Sequence, residues 1–277
     1  VKAYADLLKQ PMDALFGKGP LHPIKSLLNG RWLEHPLHPV LTDVPIGAWT
    51  VAVLLDLVSL IFRVPNLGLA SGIAIGLGVL GALAAIVTGL MDWMDVDPPE
   101  LAVGVIHGTV NIVATILFAV SFFMRASDGW EIEAEVVALS VMGYLVVMVG
   151  GFLGGTLVYR RGVMVNRNAY RSGPKEFANA IALKELPENK PTCVAVNGQP
   201  VLFMRRGERV SAIGAVCSHL GGPLEEGTVK NGNIACPWHG SQFSLDDGRV
   251  RAGPATAPQP AYETRVTNGR VQVKMKP

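Results

Sequence analysis

The hydrophobic pattern changes period once along the chain. From about residue 44 to residue 159, four long apolar segments follow one another: Val44–Phe62, Leu67–Leu90, Ala102–Met124 and Glu135–Tyr159. Each is long enough for a bilayer core, which a helix crosses in about 20 residues. Soluble helices normally keep a polar face, so four such segments in a row predict transmembrane helices. Charge and turn residues separate them: Arg63 to Asn66, the acidic run Asp92 to Glu100, and Arg125 to Glu133. Glycines four apart (Gly72/Gly76, Gly104/Gly108, Gly150/Gly154, Gly151/Gly155) suit close helix packing. From Phe177 the pattern becomes short and alternating. Cys193–Val196 and Val201–Phe203 flank an Asn197-Gly198 turn, and similar turns recur at Asn231-Gly232, Asp247-Gly248 and Asn268-Gly269. Ile181–Glu188 reads as an edge strand ending at Pro187. The expected fold is an α-helical transmembrane four-helix bundle followed by a small all-β domain. The expected division is a segment 1–42, a membrane domain 43–160, a linker 161–175 and a β domain 176–277.

Charge adds orientation. The 277 residues carry a formal charge of only +2, with no basic run interleaved with aromatics, so nucleic acid is not an expected partner. Lys2, Lys9, Lys18, Lys25 and Arg31 precede the first span, and Arg160, Arg161, Arg167, Arg171 and Lys175 follow the fourth. Counted as loop residues, Arg63 and Arg125 are the only such charges on the other side. Both basic termini, and with them the β domain, are therefore expected in the cytoplasm. That corresponds to a multi-pass protein of a cell's inner (plasma) membrane. No short apolar core closed by a small-residue cleavage site precedes Val44, so no cleaved leader is expected.

Polar residues at membrane depth are expensive and mark candidate sites. His107, with Asn111 and Thr115 on the same face, lies one turn into the third span. The topology puts that end on the same side as the start of the first helix, with His35, His38, Thr42 and Asp43, and the end of the second, with Thr88 and Asp92. His35, His38, His107, Asp43 and Asp92 are thus a candidate site for haem b, a divalent metal or a quinone. The alternative is that His107 hydrogen-bonds to Asp43 or Asp92 and fixes packing. Asp56, deeper in the first span, reads either as a proton-path residue or as a hydrogen-bonding partner of a neighbouring helix. The run His35-Pro-Leu-His-Pro-Val-Leu-Thr-Asp-Val-Pro-Ile-Gly47 resembles the start of the DUF2231 family of bacterial membrane proteins. Thr88-Gly-Leu-Met-Asp-Trp93, His107-Gly-Thr-Val-Asn111 and Gly154-Gly-Thr-Leu-Val-Tyr-Arg-Arg-Gly162 resemble its later signatures. This resemblance covers about residues 30–168 and implies a four-helix membrane domain without implying an activity.

The three cysteines, Cys193, Cys217 and Cys236, do not form a secreted disulfide pattern; Cys193 reads as a strand residue. Cys217-Ser-His219 and Cys236-Pro-Trp-His239 are two mixed pairs. Thiolate and imidazole suit zinc or iron–sulfur, but zinc sites usually pair like with like. Two mixed pairs on two loops fit a centre in which two cysteines bind one iron and two histidines the other. With Gly221-Gly222-Pro223 after the first pair and Gly253-Pro254-Ala255-Thr256-Ala257-Pro258 beyond the second, the region resembles the Rieske family from about residue 175 to 277. The resemblance implies a [2Fe–2S] cluster held by Cys217, His219, Cys236 and His239, with the proline-rich loop covering it. It implies cluster-tuning positions at Ser241, which matches a serine donating to a bridging sulfide, and Phe243, which replaces a tyrosine donating to a cysteine sulfur. Leu220 and Trp238 stand where respiratory members carry a disulfide, in keeping with a reducing compartment. Losing the tyrosine donor is expected to lower the potential within the roughly −150 to +300 mV spanned by such centres.

The expected function is single-electron transfer between a membrane donor or quinone pool and a cytoplasmic redox partner, with Leu220, Gly221, Pro223 and Trp238 as docking surface and no catalytic residue of its own. Two alternatives stand beside it. One is a membrane oxidoreductase with a second cofactor in the helices; the other is a redox-sensing or accessory subunit of a larger respiratory or oxygenase-type assembly. The short tail after Pro254 does not accommodate the mononuclear iron site of a terminal oxygenase.

Overall fold

The computed structural model describes residues 7, 9–17, 19–97 and 100–277. Lys2 and Lys18 lie outside them. Two compact units emerge: residues 1–29 with 36–163, and residues 30–35 with 164–277.

In the first unit a short helix α1 (His22–Leu28) precedes four long ones: α2 (Leu37–Phe62), α3 (Gly68–Trp93), α4 (Glu100–Ser127) and α5 (Ala134–Gly155). Among the described residues these four, the last extended by a π-turn to Arg160, are long and apolar enough to cross a membrane. Helix α2 begins seven residues before the apolar run suggested, because Pro36 and Pro39 occupy the cap and first turn, where a missing N–H costs nothing. His38 and Asp43 are therefore helical.

The polarity of this unit is inverted. Leu54, Leu80, Phe123 and Phe152 point outward, each more than half exposed, while Asp56, Ser71, Ser121, Arg125 and Ser140 are fully buried. Arg125 is thus not a loop charge: it lies within α4. Its Nη1 and Nη2 donate to Asp56 Oδ1 and Oδ2 at 3.0 and 2.6 Å. Ser71 Oγ donates to the same carboxylate at 2.6 Å. The guanidinium also donates to Ser121 Oγ (3.3 Å) and Ser140 Oγ (3.1 Å). One polar knot thereby ties all four helices, and it supplies the partner that Asp56 lacked in the sequence.

The knot belongs to an internal repeat. The buried residues Pro45, Trp49, Ala52 and Asp56 of α2 are matched, 69 residues on, by Ala114, Phe118, Ser121 and Arg125 of α4. Ser71 of α3 is likewise matched by Ser140 of α5, and His38 by His107. Three of the matched pairs face each other. Trp49 stacks on Phe118 with centroids 4.2 Å apart, Asp56 pairs with Arg125, and His38 lies across from His107, ring centroids 6.3 Å apart at 89°. This is the contact pattern of two helix hairpins arranged about an approximate twofold axis. The glycines mostly seat side chains rather than bring backbones together: a Cβ on Gly72 would meet Trp130, on Gly76 Phe122, and on Gly150 Asn111.

The second unit is a two-sheet β domain. A six-stranded sheet runs β1-β10-β9-β4-β3-β2 and a four-stranded sheet β5-β6-β7-β8. The strands are β1 (Ala178–Ala182), β2 (Thr192–Val196), β3 (Gln199–Arg206), β4 (Arg209–Gly214), β5 (Thr228–Lys230), β6 (Asn233–Ala235), β7 (Gln242–Ser244), β8 (Val250–Ala252), β9 (Ala261–Thr267) and β10 (Arg270–Met275). Three hairpins turn at Asn197-Gly198, Asn231-Gly232 and Asn268-Gly269, every one of these residues having positive φ, as a type I′ turn requires. The edge strand starts and ends earlier than expected, at Ala178–Ala182, because Leu183–Glu185 tighten into a 3₁₀ turn. Between the sheets, Leu202, Ile213, Leu224, Ile234, Phe243 and Leu245 form a core that also contains Cys217 and Cys236.

The knot yields a prediction. Arg125→Ala strands the Asp56 carboxylate and should destabilise the helical unit by about 3–5 kcal/mol, read as a lower Tm in detergent. Replacing Asp56 and Arg125 together with apolar residues should recover most of that loss.

Candidate iron–sulfur centre

Two loops at the end of the small sheet carry the paired motifs, and their backbones repeat each other. Cys217 N–H donates to Gly222 O (2.9 Å) and Gly221 N–H returns to Cys217 O (2.9 Å). In the second loop Cys236 N–H donates to Ser241 O (2.8 Å) and Gly240 N–H to Cys236 O (3.1 Å). The same bonds join the same offsets, and the fifth residue of each loop is a glycine with positive φ, +89° at Gly221 and +73° at Gly240. That conformation is inexpensive only for glycine.

This backbone aims amides at sulfur. The Cys217 sulfur accepts from the N–H groups of His219 and Leu220, and the Cys236 sulfur from those of Trp238 and His239. The two sulfurs are also hydrogen-bonded to each other, which favours thiolate at Cys236; that bond and burial hold the Cys217 thiol up. His219 and His239 meet edge to face, with ring centroids 5.1 Å apart. Neither ligand-motif cysteine is in a disulfide. The two sulfurs meet each other and the two imidazoles meet each other, one of each from either of two matched loops, a donor set that fits a two-iron metal–sulfur group. Close approach explains Gly222, whose Cβ would fall 2.7 Å from Cys236 Sγ.

The surroundings brace the loops. Ser218 Oγ donates to Ala257 O at 2.6 Å, tying the first loop to the proline-rich one. Gly253 packs on the second loop so tightly that a Cβ would lie 2.6 Å from Ser241 Cα. Ser241 is fully buried, and its Oγ accepts from Ala255 N–H at 3.1 Å, which leaves the hydroxyl proton for another acceptor. Phe243 is fully buried. Sequence reasoning missed a further brace within the stretch assigned as linker. Arg167 N–H donates to Ser218 O (3.1 Å) and Asn168 Nδ2 to Val216 O (2.9 Å). Short polar segments without periodicity carry no signal for this. At the surface, Trp238 is 55% exposed, while His219 is buried and His239 half-buried.

The family model for the Rieske [2Fe–2S] domain matches residues 177–263, and that for the predicted membrane protein DUF2231 matches residues 34–167. The anthranilate 1,2-dioxygenase ferredoxin subunit of Burkholderia cepacia is 30% identical over 94 residues, which are 34% of this chain and 87% of that subunit. The chain belongs to the Rieske [2Fe–2S] family. Its helical half is a DUF2231 domain fused ahead of the Rieske domain. The cytochrome b6-f complex iron-sulfur subunit of Chlorobaculum tepidum is 26% identical over 91 residues, 33% of this chain and 49% of that subunit. Among solved structures, the ferredoxin of carbazole 1,9a-dioxygenase from Nocardioides aromaticivorans IC177 aligns at 30% identity, covering 36% of this chain and 98% of its own, with a TM-score of 0.35. The Rieske domain binds a [2Fe–2S] cluster and its chemistry is electron transfer.

The candidate residues of the helical domain separate. His38 and His107 come together. Asp92 instead accepts from Asn29 Nδ2 at 2.6 Å, beside a 2.5 Å ion pair between Lys25 and Asp95. Asp43 is exposed, and His35 belongs to the other compact unit. His107 bonds to neither Asp43 nor Asp92: its Nδ1 donates to Gly150 O at 2.9 Å.

Phe243→Tyr would add a hydroxyl donor within the core that holds both cysteines. Its midpoint should lie above that of the wild type in a potentiometric EPR titration, because hydrogen bonds to the sulfurs raise cluster potentials; an unchanged midpoint would sink this role for position 243.

Proposed function

We propose that this chain is a membrane-anchored electron carrier, with Cys217 and Cys236 holding one iron and His219 and His239 the other. The convergence of those four donors from two matched loops carries the reading. When bound, the cluster accepts and releases one electron. The loops' amides and the Ser241 hydroxyl stabilise negative charge on sulfur, and Phe243 and Leu224 keep water from the cysteine side. Trp238, Leu220 and Pro223 surround the histidine side and form the surface on which a redox partner docks.

Anchoring is supported by the outward Leu, Ile and Phe of α2–α5, with every charge of their middle turns paired inside. Orientation rests on Lys and Arg. With Arg125 removed from the loop count, Arg63 alone stands for the far side. Lys9, Lys25, Arg31, Arg160, Arg161, Arg167, Arg171 and Lys175 stand for the other, together with Lys2 and Lys18. Both termini and the Rieske domain are therefore assigned to the cytoplasm of a bacterial cell. The named relatives include a dioxygenase ferredoxin subunit and a cytochrome-complex subunit. A quinone pool on one side and a cytoplasmic oxidoreductase on the other satisfy both kinds of likeness.

Pulsed EPR of the dithionite-reduced full-length protein tests the ligand set. Two strongly coupled imidazole nitrogens are expected, with His219→Ser and His239→Ser each removing that pattern; a reduced cluster without nitrogen coupling contradicts the assignment.

A further inference from the structure

The repeat sets three matched pairs on the axis of the helical domain, and two are satisfied by each other. Trp49 and Phe118 stack, and Asp56 and Arg125 neutralise one another. The third, His38 with His107, is the pair whose members are identical and both metal-competent. Their rings lie 6.3 Å apart, centroid to centroid, at 89°. Each is pinned through Nδ1 to a backbone carbonyl on the second helix of its own hairpin: His38 to Ala85 O at 2.8 Å, His107 to Gly150 O at 2.9 Å. A carbonyl only accepts, so Nδ1 of His38 carries the proton. Nδ1 of His107 also has the Asn111 Nδ2 amide at 3.3 Å, but its shorter contact to Gly150 O gives it the same tautomer, and each neutral ring then keeps a lone pair on Nε2. Fixing tautomer and orientation through the other nitrogen is how proteins prepare histidines for metal. Small residues seat the rings, since a Cβ on Gly89 would lie 2.7 Å from His38 Cε1 and one on Gly154 3.0 Å from His107 Cε1. Neither Asp43 nor Asp92 is available to balance an imidazolium, the first being exposed and the second held by Asn29.

We propose that His38 and His107 are the two axial ligands of a haem b iron within the helical domain, a second one-electron centre in addition to the Rieske cluster. Two imidazoles on opposite sides of one metal, with nitrogens about 2.0–2.1 Å from it, place their ring centres about 6 Å apart, matching the 6.3 Å here. Among the described residues no third His, Cys, Asp or Glu forms a metal-holding group with them, and a porphyrin brings its own four nitrogens. Four-helix bundles build cofactor sites in this way, from side chains on facing helices.

The test is a hemin titration of the full-length protein in detergent, with the Rieske EPR signal recorded on the same samples. Saturation at one haem per chain with a low-spin, bis-imidazole spectrum is expected. His38→Ala and His107→Ala should each weaken binding at least tenfold and abolish that spectrum, while the Rieske signal persists. His107→Met should convert the spectrum to a histidine–methionine type, which a merely structural histidine would not do. Absence of saturable binding, or binding that survives both alanine substitutions, overturns the proposal. So does stoichiometric copper or zinc, without haem, that is lost in both variants. Because the Rieske signal is read independently, failure here is distinct from failure of the carrier assignment.

Discussion

A carboxylate and a guanidinium buried among apolar helices have little choice of partner. Asp56 and Arg125 are both fully shielded, and either alone would carry a desolvation cost that no packing could offset. Their bidentate contact, closed by Ser71, Ser121 and Ser140, leaves the assembly as a single neutral, saturated group. It also fixes register: the rotation and depth that bring Asp56 to Arg125 are those that stack Trp49 on Phe118 and bring His38 against His107. An outer face dominated by Leu, Ile, Val, Phe and Met offers little specificity between helices.

The Rieske domain solves a comparable problem with backbone. Two loops with the same internal hydrogen bonds present two amides to each cysteine sulfur. The loops are short because glycines at 221 and 240 turn them, and close-packed because glycine at 222 lets them approach. The core between the sheets ends on the cysteines, so the sulfur side is enclosed by apolar side chains. His239 is half-buried near the exposed Trp238 in sequence, while His219 stays buried. That asymmetry suits a centre that must hold its iron firmly and exchange electrons at one edge.

Much of this was legible in the sequence. Asn-Gly pairs announced hairpins because positive φ at both turn residues leaves few other choices, and the mixed Cys–His pairs announced their chemistry because ligand type and spacing are local. The partners of buried charges were not local. Arg125 stood among the polar residues after the third apolar segment and read as a loop boundary, although its partner lies 69 residues earlier. The repeat was hidden because two of the three pairs on its axis are unlike residues, Asp against Arg and Trp against Phe. The braces from Arg167 and Asn168 were invisible for another reason, since an aperiodic polar segment looks the same whether it is a linker or part of a site.

Anchoring, orientation and electron transfer meet in one measurement: the Rieske EPR signal in inverted and right-side-out membrane vesicles, first reduced through the quinol pool and then exposed to ferricyanide, which does not cross the membrane. The account predicts reduction by quinol in both preparations and rapid reoxidation in the inverted vesicles alone. Reoxidation only in right-side-out vesicles would contradict the cytoplasmic placement. A cluster that quinol never reduces would contradict its supply from the membrane pool.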